Sequence, residues 1–255
     1  MFMFGRLKDI LKRGGVALGA WVTIPHPEIS EILSLLGFDW LLFDLEHAPI
    51  DVGQLEPMLS SVKGKAAPLV RVPDNDPAWI KRVLDLGVAG VMVPLVSSKE
   101  SAELAVKAAR YPPKGIRGVG ARRAALFGLR EREYYEEADE EVIVVVQIET
   151  RESIKNAEAI LSTEGVTAYF IGPNDLSFSL GLRSWRHPEV KEAIREVARI
   201  GKDLGVPGGM YCADEEALEF ALQNDLQLLA LGSDYRFLIR GAEEALGRSR
   251  SLTGR

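Results

Sequence analysis

Two apolar runs in this chain stop abruptly at a carboxylate: Val-Gln-Ile-Glu at 146–149 and Phe-Ile-Gly-Pro-Asn-Asp at 170–175. A carboxylate placed where a buried strand surfaces is costly to desolvate, so it commonly has a cation or a proton to handle. Glu149 and Asp175 offer hard oxygen donors, which suit Mg²⁺ or Mn²⁺. Two protein ligands leave the rest of an octahedral shell to water or to a bidentate substrate. A competing reading makes them acids of the helices that follow, where the N-terminal dipole favours negative charge. Spacing alone leaves both readings open.

Other groups gather at the same kind of position. Asp44-Leu45-Glu46-His47 ends one apolar run, and Arg71 ends another. His47, one of three histidines, has the near-neutral pKa of a general acid or base. A guanidinium at the end of a buried strand needs an anion: either Asp44 or Glu46, or a substrate oxygen. His26 and His187 lie beside prolines and read as structural or surface residues. Asp85 reads as a solvent-facing acid. None of the eleven lysines falls in an apolar run, which disfavours a Schiff-base aldolase, since that chemistry needs a lysine facing a barrel interior. Cys212 has no nearby histidine in sequence and reads as a pocket wall rather than a nucleophile. Gly208-Gly209 and Gly232-Ser233 are weak candidates for a phosphate cradle.

These groups need a frame. Apolar runs at 16–22, 39–45, 67–72, 88–93, 142–148, 166–171, 206–211 and 226–231 read as strands buried on both faces. Helical patterns lie between them at 28–36, 52–62, 77–86, 99–109, 151–161, 189–204 and 214–223, with start signals at Pro27, Asp76-Pro77 and Ser98 to Ser101. Eight strands with alternating helices predict a single-domain (β/α)8 TIM barrel, whose chemistry sits at the C-terminal ends of the strands. An excursion at 111–140 is long enough to be functional or interfacial.

The chain has 255 residues and a net charge of −6, with 47% hydrophobic and 27% charged residues. No basic stripe suggests a nucleic-acid partner, and no apolar run approaches the length of a membrane span. One cysteine excludes an intramolecular disulfide framework and fits a reducing cytoplasm.

Six segments in this order resemble the HpcH/HpaI family of metal-dependent pyruvate aldolases. They are Phe-Asp-Leu-Glu-His-Ala-Pro (43–49), Pro-Leu-Val-Arg-Val-Pro (68–73), Gly-Val-Ala-Gly-Val-Met-Val-Pro (87–94), Pro-Pro-Lys-Gly-Ile-Arg-Gly-Val-Gly (112–120), Gln-Ile-Glu-Thr (147–150) and Ile-Gly-Pro-Asn-Asp-Leu-Ser (171–177). The resemblance implies that Glu149 and Asp175 hold a divalent metal (Mg²⁺ or Mn²⁺, with Co²⁺ a further candidate) and that pyruvate chelates it. It implies that Arg71 stabilises the enolate and that Gln147, Gly172 and Asn174 hold the pyruvate unit. It also promotes Asp85 to the partner of a catalytic His47, and puts Trp21, Val119 and Cys212 in the pocket wall. Position 174 departs from the family, which often has a smaller residue there. A homohexamer is implied as well, with a last helix at 234–247 packed on a neighbour.

The expected activity is reversible cleavage of a 4-hydroxy-2-oxo acid, such as 4-hydroxy-2-oxoheptanedioate, to pyruvate and an aldehyde. Rivals on the same barrel are a 2-dehydro-3-deoxyglucarate-type aldolase and an acyl-CoA lyase. A non-catalytic 2-oxo acid binder and a phosphate-handling isomerase stand further off.

Overall fold

All eight apolar runs become strands in the computed structural model of the chain, which describes residues 5–253. They are β1 (Ala17–Val22), β2 (Trp40–Asp44), β3 (Ala67–Arg71), β4 (Gly90–Val93), β5 (Ile143–Ile148), β6 (Ala168–Ile171), β7 (Gly208–Tyr211) and β8 (Leu228–Ser233). Neighbours pair in parallel, in chain order, and β8 closes on β1. Around them run α1 (Gly5–Lys12), α2 (Pro27–Leu35), α3 (Val52–Ser61), α4 (Pro77–Leu84), α5 (Lys99–Ala109), α6 (Glu131–Glu141), α7 (Arg151–Lys155), α8 (Ala157–Leu161), α9 (Pro173–Ser179), α10 (Pro188–Leu204), α11 (Glu215–Gln223) and α12 (Asp234–Thr253). This is the (β/α)8 barrel read from the sequence.

Strand alternation sorts the apolar residues into two layers. Trp40, Leu42, Leu69, Val145, Phe170 and Ala230 fill the barrel interior. Leu41, Phe43, Val70, Val144, Val146 and Ile171 point outward to the helices. The interior is tight: a Cβ on Gly19 would lie 2.1 Å from the Trp40 ring, so only glycine fits at that crossing.

The start signals are used as read. Asp76 accepts from the Ala78 amide ahead of Pro77, and Ser98 and Ser101 close a capping box on α5. The expected helix at 151–161 divides into α7 and α8 at Asn156, whose side-chain amide donates to the Ser97 carbonyl at 2.8 Å. His26 and His187 serve as helix caps, each accepting from the amide two residues on.

The excursion at 111–140 lies elsewhere than a catalytic-rim loop would. Because α5 carries the chain back to the N-terminal ends of the strands, the excursion begins there. It packs on the ends of α3 and α4: Arg123 donates to the Leu86 carbonyl and to Ser60 Oγ, and the Ala124 amide to the Asp85 carbonyl. α12 runs past the expected 234–247 to Thr253 and leaves Leu238, Leu246 and Leu252 exposed. No helix among the described residues is long and apolar enough to cross a membrane.

Candidate active site

Strand register brings the rim acids together. Asp44 ending β2 pairs across to Arg71 ending β3, and Ile148 of β5 to Ile171 of β6, which sets Glu149 beside Gly172. The resulting pocket, about 410 Å³, opens at the C-terminal rim. Trp21, His47, Arg71, Gln147, Asn174 and Asp175 line it, and so does Gly172.

Arg71 answers the alternatives left open for it by binding both acids. Its Nε and one terminal nitrogen donate to the two oxygens of Asp44 at 2.9 and 2.7 Å, and its other terminal nitrogen lies 2.9 Å from Glu46 Oε2. Two of the five guanidinium N–H groups are hydrogen-bonded in this way, while Glu46 Oε2 is held by charge without a hydrogen bond, which leaves the other N–H groups for the pocket. The same guanidinium sits 5.6 Å from the Trp21 ring centroid. Trp21 in turn packs against Phe170 and Tyr211, so the floor of the pocket is aromatic and rigid.

Glu149 is 3% exposed and is not a helix cap; Thr150 performs that role for α7. Its Oε1 accepts the Leu95 amide at 2.8 Å and its Oε2 accepts from Gln147 Nε2 at 2.9 Å. Leu95 makes that bond from the left-handed region (φ 53), a conformation that costs a non-glycine residue about 1 kcal/mol. The backbone is strained to hold this carboxylate. Burial is the main reason the Glu149 carboxyl is pushed up to about 7; Glu46 and Asp175 add to the rise, while the Leu95 amide and Arg71 oppose it. Glu46 is also raised, again mainly by burial.

Asp175 is exposed in the first turn of α9, the position its helix-acid reading expects. Both carboxylates converge on Gly172. A Cβ there would lie 2.7 Å from Glu149 Oε2 and 3.6 Å from Asp175 Oδ2. Gln147 Oε1 is buried in the same place without a hydrogen-bond partner. Among the described residues no three His, Cys, Asp or Glu side chains form a ready-made metal cage. A pair of hard carboxylates, in surroundings where four acids face one arginine, nevertheless fits an ion such as Mg²⁺, which keeps most of its shell for water and substrate.

His47 stands at the mouth, 65% exposed at its side chain, with Nε2 3.8 Å from Glu46 Oε2. Asp85 does not join it. It ends α4 at the opposite rim, where Arg117 donates to its Oδ1 at 2.7 Å. The solvent-facing acid read from the sequence is thus half-buried and paired with a buried arginine. Val119 is at that opposite rim too, 73% exposed. Cys212 does not line the pocket. It faces the outer layer, where burial pushes its thiol up to about 12, and Tyr211 takes the inward position. The glycines once read as a phosphate cradle are filled by protein: Cβ atoms at Gly208 and Gly232 would meet the Tyr169 and Phe237 rings. Sequence reasoning missed Tyr211, Tyr235 and Arg236 in the pocket wall.

Fold and rim define a (β/α)8-barrel enzyme with an acidic pocket at the C-terminal ends of its strands. The chain belongs to the HpcH/HpaI aldolase/citrate lyase family, whose model matches residues 17–241. It is 41% identical over 232 residues to the 5-keto-4-deoxy-D-glucarate aldolase of Escherichia coli (strain K12), covering 90% of each chain. Among solved structures it is similar to an HpcH/HpaI aldolase/citrate lyase family protein from Burkholderia cenocepacia J2315, with TM-score 0.93, 35% identity, and 96% and 99% of the two chains covered. It is also similar to the HpcH/HpaI aldolase of Desulfitobacterium hafniense DCB-2, with TM-score 0.88, 31% identity and 96% of each chain covered. The protein is an aldolase-type carbon–carbon lyase.

Proposed function

We propose that this chain is a divalent-metal-dependent aldolase that cleaves a keto-deoxy-glucarate type diacid, reversibly, to pyruvate and an acidic aldehyde. The observation that carries the metal and pyruvate reading is the convergence of Glu149 and Asp175 on Gly172, inside an excess of buried negative charge. The substrate reading is supported by the E. coli relative, a 5-keto-4-deoxy-D-glucarate aldolase. It takes the place of 4-hydroxy-2-oxoheptanedioate, the first expectation from sequence.

Glu149 and Asp175 would hold the metal, which supplies Lewis acidity toward a keto oxygen when bound. Arg71, fixed by Asp44 and Glu46, offers its remaining N–H groups to the oxygen on which enolate charge collects, a preorganised stabilisation. Gln147 Oε1, Gly172 and Asn174 bound the space for the pyruvyl unit, over Trp21. His47, at the mouth, moves the proton to and from the substrate hydroxyl.

The pairing of His47 with Asp85 cannot be made within one chain. Asp85 and Val119, both implied for the site by resemblance, lie at the far rim, where Arg117 holds Asp85. A second copy that sets its N-terminal rim on this pocket would supply both, and the exposed apolar side of α12 is available to such an assembly, with a homohexamer as the expected form. Mixing inactive His47→Ala and Asp85→Ala variants then restores part of the activity; a mixture as dead as its components refutes the shared site.

Deuterium exchange into the pyruvate methyl group tests the central reading. Exchange with Mg²⁺ or Mn²⁺ that chelator abolishes supports it. Pyruvate that neither binds nor exchanges with either metal overturns it.

A further inference from the structure

The pocket has two ends of opposite character. At the inner end Arg71 is neutralised by Asp44 and Glu46. At the outer end the first turns of α12 place Tyr235 and Arg236 in the wall, beside Tyr211. Arg236 is not neutralised. Its Nε donates to the Tyr235 hydroxyl at 3.2 Å, its guanidinium lies 5.6 Å from that ring centroid, and among the described residues it makes no ion pair. Arg240, one turn further, contacts only the Ala213 carbonyl, at 3.5 Å, and makes no ion pair there either.

Helical spacing puts Arg236 and Arg240 on one side of α12, with Leu238 on the opposite side. Of these two cations Arg236 is the one that lines the pocket. Its charge reaches the lining: burial, the largest influence, raises the Tyr211 phenol, and Arg236 and Arg240 both pull it back. Four N–H groups of Arg236 remain free in a planar fork that matches a carboxylate. The aromatic contact with Tyr235 limits the rotamers lost when that fork closes on an anion.

We propose that Arg236, steadied by Tyr235, receives the second carboxylate of the substrate, the one left on the aldehyde fragment. It is thereby a residue that selects acidic over uncharged aldehyde partners. This rests on the pyruvate-aldolase reading: with the pyruvyl unit at Glu149, Asp175 and Arg71, the rest of the molecule extends toward the α12 wall.

The experiment compares aldol addition of pyruvate to succinic semialdehyde and to butanal, with Mn²⁺, in the wild type, Arg236→Gln and Arg236→Lys. Losing a charge-assisted bidentate contact lowers the kcat/KM ratio of acidic to uncharged aldehyde by about 10- to 100-fold in Arg236→Gln, chiefly through KM. Arg236→Lys recovers part of that ratio, since it keeps the charge and loses the fork. A ratio unchanged in Arg236→Gln overturns the proposal, whether both aldehydes suffer equally or neither does. Chelator-sensitive exchange of the pyruvate methyl protons, measured on the same wild-type sample, separates the two layers. If it is absent the aldolase reading itself falls and takes this proposal with it; if it is present, an unchanged ratio counts against Arg236 alone.

Discussion

The two rims of the barrel each hold a buried arginine against an aspartate and an aromatic ring, and they do different work. At the C-terminal rim Arg71 meets Asp44 at 2.7 Å and lies over Trp21. At the N-terminal rim Arg117 meets Asp85 at 2.7 Å and lies 4.6 Å from the centroid of Tyr111. The surroundings separate them. Arg71 has Glu46, Glu149 and Asp175 around it beyond its first partner, and a pocket of about 410 Å³ beside it. Arg117 has tyrosines and one acid, with a void of only about 20 Å³. Charge in excess next to open space is the signature of chemistry; charge in balance inside a closed space is an anchor. Arg117 ties the 111–140 excursion to the end of α4, and holds Asp85 by one oxygen while the side chain stays partly open.

Removing the centre of the excess charge gives the largest effect. Glu149→Ala should reduce metal-dependent pyruvate exchange by about 10³-fold or more, comparable to losing about 4 kcal/mol of transition-state stabilisation. Exchange retained within about tenfold would mean that Asp175 and the pocket suffice. Next come the two arginines. Arg71→Gln and Arg117→Gln each break a buried pair, which costs about 3–5 kcal/mol of stability. Urea titration with and without Mn²⁺ distinguishes them. Removing Arg71 also removes the cation that opposes a metal, so its Mn²⁺ stabilisation should exceed the wild type's. Arg117→Gln should show the wild-type increment. Equal increments in both variants would erase the distinction between the rims.

The acid side has its own pH signature. An unfolded glutamate ionises near pH 4.3, whereas Glu149 in the fold ionises near 7 because burial penalises its charge. As pH rises between those values the unfolded state loses its proton first, so stability falls and levels off above about 7. The full drop is about 4 kcal/mol in metal-free protein. Thermal unfolding from pH 5 to 8 in chelator should show this loss, Glu149→Gln should flatten it, and Mn²⁺ should reverse it at the alkaline end. A metal-free protein equally stable at both ends would show that Glu149 is not held in an ion's place.

Much of this was legible in the chain, and the residues show why. Eight apolar runs with polar starts such as Asp76-Pro77 specify a parallel barrel because strands buried on both faces leave little choice of partner. Glu149, Arg71, His47 and Asp175 lie on one rim because each stands at or just past the end of a run, with Gln147 just inside one, and a barrel puts run-ends on one rim. What escaped depended on phase or on distance along the chain. Asp85 and Arg117 are 32 residues apart, and no periodicity links a helix end to a loop. Arg236 needed the rotation of α12, which a helix exposed along most of its length does not reveal. The double burial that made the strands easy to find made their facing hard to read: Tyr211 and Cys212 are both apolar enough for either side.

That ambiguity supplies the smallest prediction, and it turns on one residue of facing rather than on the two ends of the barrel. Tyr211 is inward, in the pocket wall. Cys212 is outward and buried, with its Sγ 3.6 Å from the Met210 carbonyl and its thiol pushed up to about 12 by burial. At pH 8 only about one molecule in ten thousand would carry the thiolate that alkylating reagents require. Native protein should therefore resist iodoacetamide over hours, and Cys212→Ala should keep its pyruvate exchange while losing about 1 kcal/mol of packing. Rapid labelling that also stops exchange would put the thiol in the pocket. It would exchange the facing of residues 211 and 212, and with it the wall that Tyr211 shares with Arg236.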